Sequence, residues 1–324
     1  MKILITGATG YLGSRLTQRL QQEGHVLVLL VREPKAILSA SFANMTIHKG
    51  DITDPASIAK AMEGCTHVYH TAAVAKYQSS GMDRFYEVNV TGTRNILEAA
   101  MRFNIQKLVF TSSAAVFGPS LDIPLTEKDP RIESFESDYD FSKHLAGNLV
   151  REFVQKGLNA VIVNPSRVFG PGPATYSNGV TRMIRYLLTK KILFIPEIGA
   201  YRSNYSFIED VVDGHVLAMQ KGKAGESYIL GGENISYAEL FNSVAGYSSS
   251  KCRLIKIPVD IIKGAAHFTS LFNRNTELTA SLITRFAKHR MLNSRKAISE
   301  LGYRITPFQE GLHLTIDYLK NYAP

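Results

Sequence analysis

The chain has 324 residues, of which 45% are hydrophobic, and carries a formal net charge of +9. This length and apolar content suit one large globular domain or two smaller ones. We expect no signal peptide and no stable membrane insertion, since the sequence has no apolar stretch of the length that a membrane helix needs. The cations are scattered and form no basic block, so we expect no nucleic acid partner.

The cysteine content indicates a reduced, cytoplasmic setting. Cys65 and Cys252 are the two cysteines of the chain, and neither has metal-ligand spacing around it, so we predict no metal site and expect both to be small buried hydrophobes. Residues 254–272 contain several apolar side chains. This stretch either lies on a membrane surface or, as we favour, forms a core or pocket helix.

Strand-like and helical patterns alternate through the first half of the chain. Apolar runs predict strands at residues 2–5, 26–31, 45–48, 67–70, 107–111 and 160–164. Helical patterns lie between most of them, at residues 11–23, 54–63, 83–103 and 139–156. Such alternation predicts an α/β fold of the Rossmann type, a doubly wound parallel sheet with helices on both faces.

The first strand leads into a glycine-rich turn, Thr-Gly-Ala-Thr-Gly-Tyr-Leu-Gly, at residues 6–13. The helix predicted to follow has an apolar stripe at Leu12, Leu16 and Leu20. Glycines between a strand and a helix let the backbone approach a pyrophosphate, whose charge the helix N-terminus then faces. The turn therefore predicts a dinucleotide site.

The end of the second strand bears on cofactor choice. Many NAD-binding proteins place a carboxylate here, whereas this chain has Arg32, with Lys35 close after it. A guanidinium can bind a 2′-phosphate with two hydrogen bonds, so we predict NADP(H) over NAD(H). Glu33 keeps NAD open, since its carboxylate could accept a hydrogen bond from a ribose hydroxyl.

Tyr139 and Lys143 lie four residues apart and so project from one face of a predicted helix. A nearby ammonium favours phenolate over phenol, which makes Tyr139 a candidate general acid/base. Upstream, residues 111–118 read Thr-Ser-Ser-Ala-Ala-Val-Phe-Gly.

Together these segments resemble the extended short-chain dehydrogenase/reductases over nearly the whole chain. Four further motifs add to the likeness: Asp51-Ile52-Thr53-Asp54, His70-Thr71-Ala72-Ala73, Asn89-Val90-Thr91-Gly92-Thr93, and residues 164–172. The resemblance implies the Rossmann fold, a nicotinamide cofactor, and a catalytic Ser113, Tyr139 and Lys143. It also implies cofactor contacts from Gly7, Thr9, Gly10, Tyr11, Leu12, Gly13, Arg32, Lys35, Asp51, Ile52, Thr71, Ala72, Ala73, Asn89, Tyr139, Lys143, Pro165 and Val168.

The resemblance assigns a role to each catalytic residue. Tyr139 exchanges a proton with the substrate oxygen, Ser113 hydrogen-bonds the same oxygen, and Lys143 lowers the pKa of Tyr139 and contacts the cofactor ribose. Ser113 is preferred to Ser112 because the family serine precedes a small residue and then x-Val-Phe/Tyr-Gly.

Beyond Pro165 the strand–helix alternation degrades. We predict a helix at residues 178–190, a strand at 205–208, a helix at 209–220, and a strand at 227–230. The family resemblance implies that the strand at 205–208 and the helix after it return to the main sheet. A capping box at residues 236–239 opens another helix, and two more begin near Asn293 and Pro307. The predicted division is residues 1–168 plus about 204–222 for the dinucleotide-binding domain, and about 169–203 plus 223–324 for a smaller α/β substrate-binding region.

Two subgroups of the family compete as the function. Nucleotide-sugar epimerases and dehydratases carry a phosphate-binding arginine where this chain has Ser203, and Arg202 should face the other way. Residues 213–219 and 228–234 look more like the dihydroflavonol-reductase-like branch. We therefore expect a reductase of a small carbonyl substrate, or a dehydrogenase of an alcohol, acting as a monomer or homodimer. An epimerase or dehydratase is the alternative, and a non-catalytic redox sensor is less favoured. Candidate pocket aromatics are Tyr77, Phe117, Phe169 and Tyr176.

Overall fold

The computed structural model describes residues 1–34, 44–75, 81–173, 175, 178–190, 192–198, 200–247, 253–258, 260–261 and 287–322. Several sequence predictions fall outside these ranges. They concern Lys35, Tyr77, Tyr176, Cys252 and residues 262–272, the greater part of the stretch for which a membrane contact was considered.

A seven-stranded parallel sheet forms the centre of the fold, as predicted. Its strands lie in the order β10-β6-β5-β4-β1-β2-β3. Their bounds are β1 Lys2–Thr6, β2 Val26–Val31, β3 Met45–Lys49, β4 His67–His70, β5 Lys107–Thr111, β6 Ala160–Pro165 and β10 Ser227–Leu230. The strand order reverses between β1 and β4, and the crevice above such a point is where open α/β sheets bind ligands.

Alternate residues of the central strands face two separate apolar cores. In β1, Ile3 and Ile5 join the core under α1 (Tyr11–Gln22), together with Leu16 and Leu20. Leu4 points the other way, into the core formed with α2 (Pro55–Met62), α4 (Gly92–Arg102) and α5 (Asp138–Gln155). Because side chains alternate along a strand, a strand in a sheet that is covered on both faces has a continuous run of apolar residues in its sequence.

Local signals set the helix starts. Asp54 caps α2 by accepting hydrogen bonds from the backbone N–H groups of Ala56 and Ser57, with Pro55 at the first helical position. Ser137 caps α5 in the same way. The helix predicted at 83–103 consists of α3 (Gly81–Phe85), a π-helical turn (Tyr86–Thr91) and α4.

The strand predicted at residues 205–208 does not return to the main sheet. It is β9 (Arg202–Phe207), which lies between β7 (Arg167–Phe169) and β11 (Glu233–Ser236) in a separate three-stranded sheet. The place beside β6 is taken by β10, which the sequence had assigned to the substrate-binding region. The placement of this strand, which the family resemblance implied, was wrong, and the sequence pattern could not correct it because it does not show which strand pairs with β6. The following helix, α7 (Ile208–Lys221), does pack on the main sheet, with Val211 and Val212 fully buried.

The other elements of the second half of the chain are α6 (Gly179–Thr189), β8 (Ile192–Pro196), α8 (Tyr237–Tyr247), β12 (Arg253–Ile257) and α9 (Phe308–Tyr322). Near the helix predicted from Asn293 there is a π-helical turn (Ala297–Leu301). The predicted capping box forms: the Ser236 N–H donates to Glu239 Oε2 at 2.6 Å, and the Glu239 N–H donates to Ser236 Oγ at 3.1 Å. Within the described ranges, none of the helices is both long and apolar enough to cross a membrane.

Candidate active site

A cavity of about 930 Å³ opens above the point where the strand order reverses. It runs from the turn after β2 to the small sheet formed by β7, β9 and β11. Most of the sequence-predicted site residues within the described ranges line it: Gly7, Thr9, Gly10, Tyr11, Leu12, Gly13, Arg32, Asp51, Ile52, Thr71, Ala72, Ala73, Ser113, Tyr139, Pro165 and Val168. The candidate pocket aromatics Phe117 and Phe169 do not line it, and Phe169 is buried in the apolar core instead.

The glycine turn brings the N-terminus of α1 to the cavity wall. Gly10 holds the N-cap position and no side chain caps this end of the helix, nor does its first turn contain a carboxylate. A Cβ on Gly13 would lie 2.1 Å from the Gly7 carbonyl oxygen, so only glycine lets the helix approach the turn this closely. Uncapped N–H groups beside a cavity suit a pyrophosphate, and these residues therefore fit a dinucleotide.

At the end of the cavity beside the turn after β2, the structure distinguishes Arg32 from Glu33 as candidates for ribose recognition. Arg32 is exposed and lines the cavity, whereas Glu33 does not line it. Asp51 stands nearby, and its Oδ1 accepts hydrogen bonds from the N–H and the hydroxyl of Thr53 at 3.0 and 3.1 Å. These bonds fix the Asp51 carboxylate at the cavity wall.

His70 organises the loop after β4. Its ring nitrogens are hydrogen-bonded to the Thr6 hydroxyl at 2.7 Å and the Thr93 hydroxyl at 3.0 Å. Thr6 in turn accepts a hydrogen bond from the Ala72 N–H. Burial, and next the charge of Lys143, lower the pKa of His70 to about 3, so the imidazole is neutral near pH 7. The neutral ring thus positions the loop that carries Thr71, Ala72 and Ala73.

Asn89 does not line the cavity. Its side chain accepts a hydrogen bond from the Val74 N–H at 2.8 Å and donates to the Val74 carbonyl at 3.0 Å and to Ser142 Oγ at 2.9 Å. Because Val74 does line the cavity, Asn89 acts on it through the backbone of that residue. A direct contact between Asn89 and a cofactor stays a prediction.

Ser113 and Tyr139 reach the cavity from two adjoining elements. Ser113 follows β5 and begins a short 3₁₀-helix (Ala114–Phe117), whose Ala115 N–H donates to Ser113 Oγ at 3.2 Å. Tyr139 lies in the first turn of α5, where the positive end of the helix dipole favours a phenolate. Ser112 lines the cavity too, but it is only 5% exposed while Ser113 is more open.

Lys143 lies one helical turn beyond Tyr139 and is 2% exposed. Its Nζ stands 4.5 Å from the centre of the Phe110 ring. Burial lowers the pKa of Lys143 from the ordinary value of 10.5 to about 7. The side chain is absent from the cavity wall, so its contact with a cofactor ribose stays a prediction.

Sequence reasoning missed the cations at the opposite end of the cavity. Arg167, Arg182 and Arg290 all line it there. The position of Arg202 agrees with expectation, because it points away and donates to the Asn234 carbonyl at 2.7 Å, while Ser203 is fully buried. The presence of Ser203 at the position of the family arginine therefore does not leave this end of the cavity without cations. Arg167 falls within a quoted motif, but only the pairing of distant segments places it beside Arg290.

Taken together, the fold and the cavity define an α/β protein of the Rossmann type with a tyrosine–lysine pair beside its cavity. Sequence comparison takes the assignment further. The family model described as NAD dependent epimerase/dehydratase family matches residues 3–231. The chain is 27% identical to a putative dihydroflavonol 4-reductase of Synechocystis, over 98% of this chain and 94% of the relative.

Two further relatives show the breadth of the group. The chain is 28% identical to sterol demethylase protein B of Methylococcus capsulatus, over 91% of this chain and 89% of the relative. The structure of a Thermus thermophilus UDP-glucose 4-epimerase in complex with NAD superposes with a TM-score of 0.79 at 24% identity, covering 99% of this chain and 100% of that one. This chain belongs to the NAD dependent epimerase/dehydratase family, within the extended short-chain dehydrogenase/reductases.

Proposed function

We propose that the protein is an NADP(H)-dependent reductase of a ketone or aldehyde, or the corresponding dehydrogenase of a secondary alcohol. The observation that carries this proposal is the presence of Ser113 and Tyr139 on one cavity wall, with Lys143 buried one helical turn from Tyr139. A bound nicotinamide cofactor supplies or accepts the hydride. The protein must then orient the carbonyl and move one proton.

Each of the three side chains has a distinct task in this proposal. Tyr139 donates its phenolic proton to the substrate oxygen during reduction and removes it during oxidation. Ser113 donates a hydrogen bond to the same oxygen, where negative charge develops. In its protonated form Lys143 favours the phenolate of Tyr139 by its charge, and the N-terminus of α5 acts in the same direction.

Three features support, in turn, the preference for NADP(H), the cellular setting and the reductase activity that we propose. Arg32 lines the outer end of the cavity while Glu33 does not, which favours recognition of a 2′-phosphate. Cys65 is a free, buried thiol, which suits a reduced cytoplasmic setting. The relative from Synechocystis is itself named a reductase.

A nucleotide-sugar epimerase or dehydratase is the second candidate. The observation that favours it is the presence of Arg167 and Arg290 at the substrate end of the cavity, since guanidinium groups bind phosphates well. The solved epimerase from Thermus thermophilus has the same fold. At that level of identity, the likeness bears on architecture alone.

Two parallel measurements separate the candidates. In the first, NADPH absorbance is followed while aromatic and aliphatic aldehydes and ketones are supplied, and we expect it to fall with at least one of them. In the second, UDP- and GDP-sugars are titrated calorimetrically into the NADPH-loaded protein. The reductase proposal predicts no saturable binding at millimolar ligand, roughly −4 kcal/mol or weaker. Micromolar binding of a nucleotide sugar, with no carbonyl reduced, would favour the epimerase instead.

A further inference from the structure

The two arginines at the substrate end lie side by side, although 123 positions separate them in the chain. Arg167 is paired with Tyr205 in the parallel register between β7 and β9. Arg290 is paired with Ser203 of the same strand: its N–H donates to the Arg202 carbonyl at 2.8 Å and its carbonyl accepts from the Asn204 N–H at 3.0 Å. Since β11 occupies the other edge of β9, both arginines lie along the same edge.

This register places the two side chains on one face. Paired residues of neighbouring strands point to the same side of a sheet, as do residues two apart along a strand. Arg167 and Arg290 therefore project together, with their backbones roughly 6–7 Å apart along the strand direction. Both line the cavity. Two guanidinium groups at this spacing can converge on one small anion.

Among the described residues near the pair, cations outnumber carboxylates, and Glu136 is close enough to interact with Arg167 as well as Arg290. The Glu136 carboxylate is bound by Arg290 and lies 3.4 Å from Lys288 Nζ, and Lys288 also binds Glu133. In this group, three cations including Arg167 face two carboxylates. Arg182 adds a further cation to the cavity wall. No carboxylate of the described residues lines this end; the acid that does line the cavity, Asp51, lies beside Arg32 at the other end.

Protein contacts hold each arginine in place. The guanidinium of Arg167 lies 5.6 Å from the centre of the Tyr237 ring, in a cation–π arrangement. Arg290 is 9% exposed, and its backbone N–H and carbonyl are both hydrogen-bonded to β9. An arginine that is already oriented loses less side-chain entropy when it binds a ligand, which makes the pair a preformed receptor for an anion.

We infer that the substrate carries an anionic group, a carboxylate or a phosphate, which Arg167 and Arg290 bind together at the end of the cavity opposite Arg32. This inference rests on the proposed reductase function for the carbonyl, and it adds the class of substituent that the substrate bears. The anion anchors the substrate so that its carbonyl is directed toward Ser113 and Tyr139. A neutral carbonyl of the same size lacks this anchor.

Binding and turnover are tested separately. Calorimetry on the NADPH-saturated protein compares benzoate and phenyl phosphate with neutral benzamide, and UDP serves as the nucleotide probe. Saturation with NADPH keeps these probes out of the cofactor site. In parallel, kcat/KM is measured for 4-carboxybenzaldehyde and for 4-methylbenzaldehyde. The variants are Arg167→Met, Arg290→Met and Arg167→Lys, with Arg102→Met on α4 as a control cation that does not line the cavity. Thermal melting checks the fold of each.

At least one anionic probe should bind tenfold or more tighter than benzamide. Arg167→Met and Arg290→Met should each weaken it by roughly ten- to a hundredfold, the effect of losing a charge-assisted contact. Arg167→Lys should lose less and Arg102→Met nothing. A response to benzoate identifies a carboxylate, and a response to phenyl phosphate alone identifies a phosphate. Micromolar binding of UDP would instead contradict the reductase premise and favour the nucleotide-sugar candidate. Equal binding of anionic and neutral probes to the parent protein would overturn the inference, whatever the variants do.

The two proposals can fail independently. If an anion binds through Arg167 but neither aldehyde is reduced, the anion site stands and the result contradicts the reductase function. If both aldehydes are reduced with equal kcat/KM, and no anionic probe is preferred, the reductase stands and the anion site is wrong.

Discussion

The buried ammonium of Lys143 predicts a variant that gains stability while it loses activity. Its pKa of about 7, against an ordinary 10.5, means that folding disfavours the charged form. Each pKa unit corresponds to about 1.36 kcal/mol, so this shift places a penalty of roughly 5 kcal/mol on the charged native state. Replacing Lys143 with Met keeps the apolar stem and removes the charge. We expect Lys143→Met to raise the free energy of unfolding by up to that amount near pH 6. The gain is reduced by the loss of the cation–π interaction between Lys143 Nζ and the Phe110 ring, whose centre lies 4.5 Å away.

The pH dependence gives the sign of this effect. Below pH 7 the lysine is charged in both states, and the whole penalty applies to the native protein. Between pH 7 and 10.5 the native lysine is neutral while the unfolded one remains charged, so the parent protein gains stability as pH rises. The advantage of Lys143→Met should therefore shrink toward zero by about pH 10. Urea unfolding across this range measures it, with exposed Lys60→Met as the control. An advantage that does not change with pH, or a variant less stable than the parent near pH 6, would refute the reasoning.

Two other substitutions test the cofactor end of the cavity. Arg32→Ala should raise the Kd for NADPH by the equivalent of roughly 1.5–3 kcal/mol and leave the Kd for NADH unchanged. Fluorescence titration measures both constants, with Glu33→Ala as the control. Equal weakening for both cofactors would assign the preference to another group. Gly13→Ala should prevent folding or dinucleotide binding, since its Cβ would lie 2.1 Å from the Gly7 carbonyl oxygen. Gly147→Ala is the matched control, because Gly147 lies inside α5 and only the Arg151 side chain is near its added Cβ; this variant should melt at or above the parent temperature. If both glycine variants melt at the same temperature and bind the dinucleotide equally well, the close approach of Gly13 to Gly7 has no such role.

The sequence predicted local elements well because their causes are local. The run at β1 is apolar on both faces, the turn at residues 6–13 needs glycine, and Asp54 with Pro55 marks the start of α2. Each of these signals lies within a few residues of the element that it sets. The six strands predicted up to residue 164 all form, with bounds that differ by no more than one residue.

What the sequence did not predict depends on pairing between distant segments. The strand at β9 was placed in the wrong sheet because nothing local distinguishes β6 from β7 as its neighbour. The same limit hid the second end of the candidate site, since Arg290 meets β9 through an isolated bridge to Ser203. The contacts of Asn89 with Val74 are likewise visible only in three dimensions.

In the proposed carbonyl reduction Tyr139 moves the proton, and a single substitution tests this role most directly. Tyr139→Phe keeps the ring and removes the transferable proton. Protein loaded with NADPH is mixed by stopped flow with a carbonyl that the parent reduces, and the loss of NADPH absorbance gives the rate of a single turnover. We predict a rate two to four orders of magnitude below the parent, with the Kd for NADPH nearly unchanged. A rate within tenfold of the parent would contradict the assignment of Tyr139 as the acid/base.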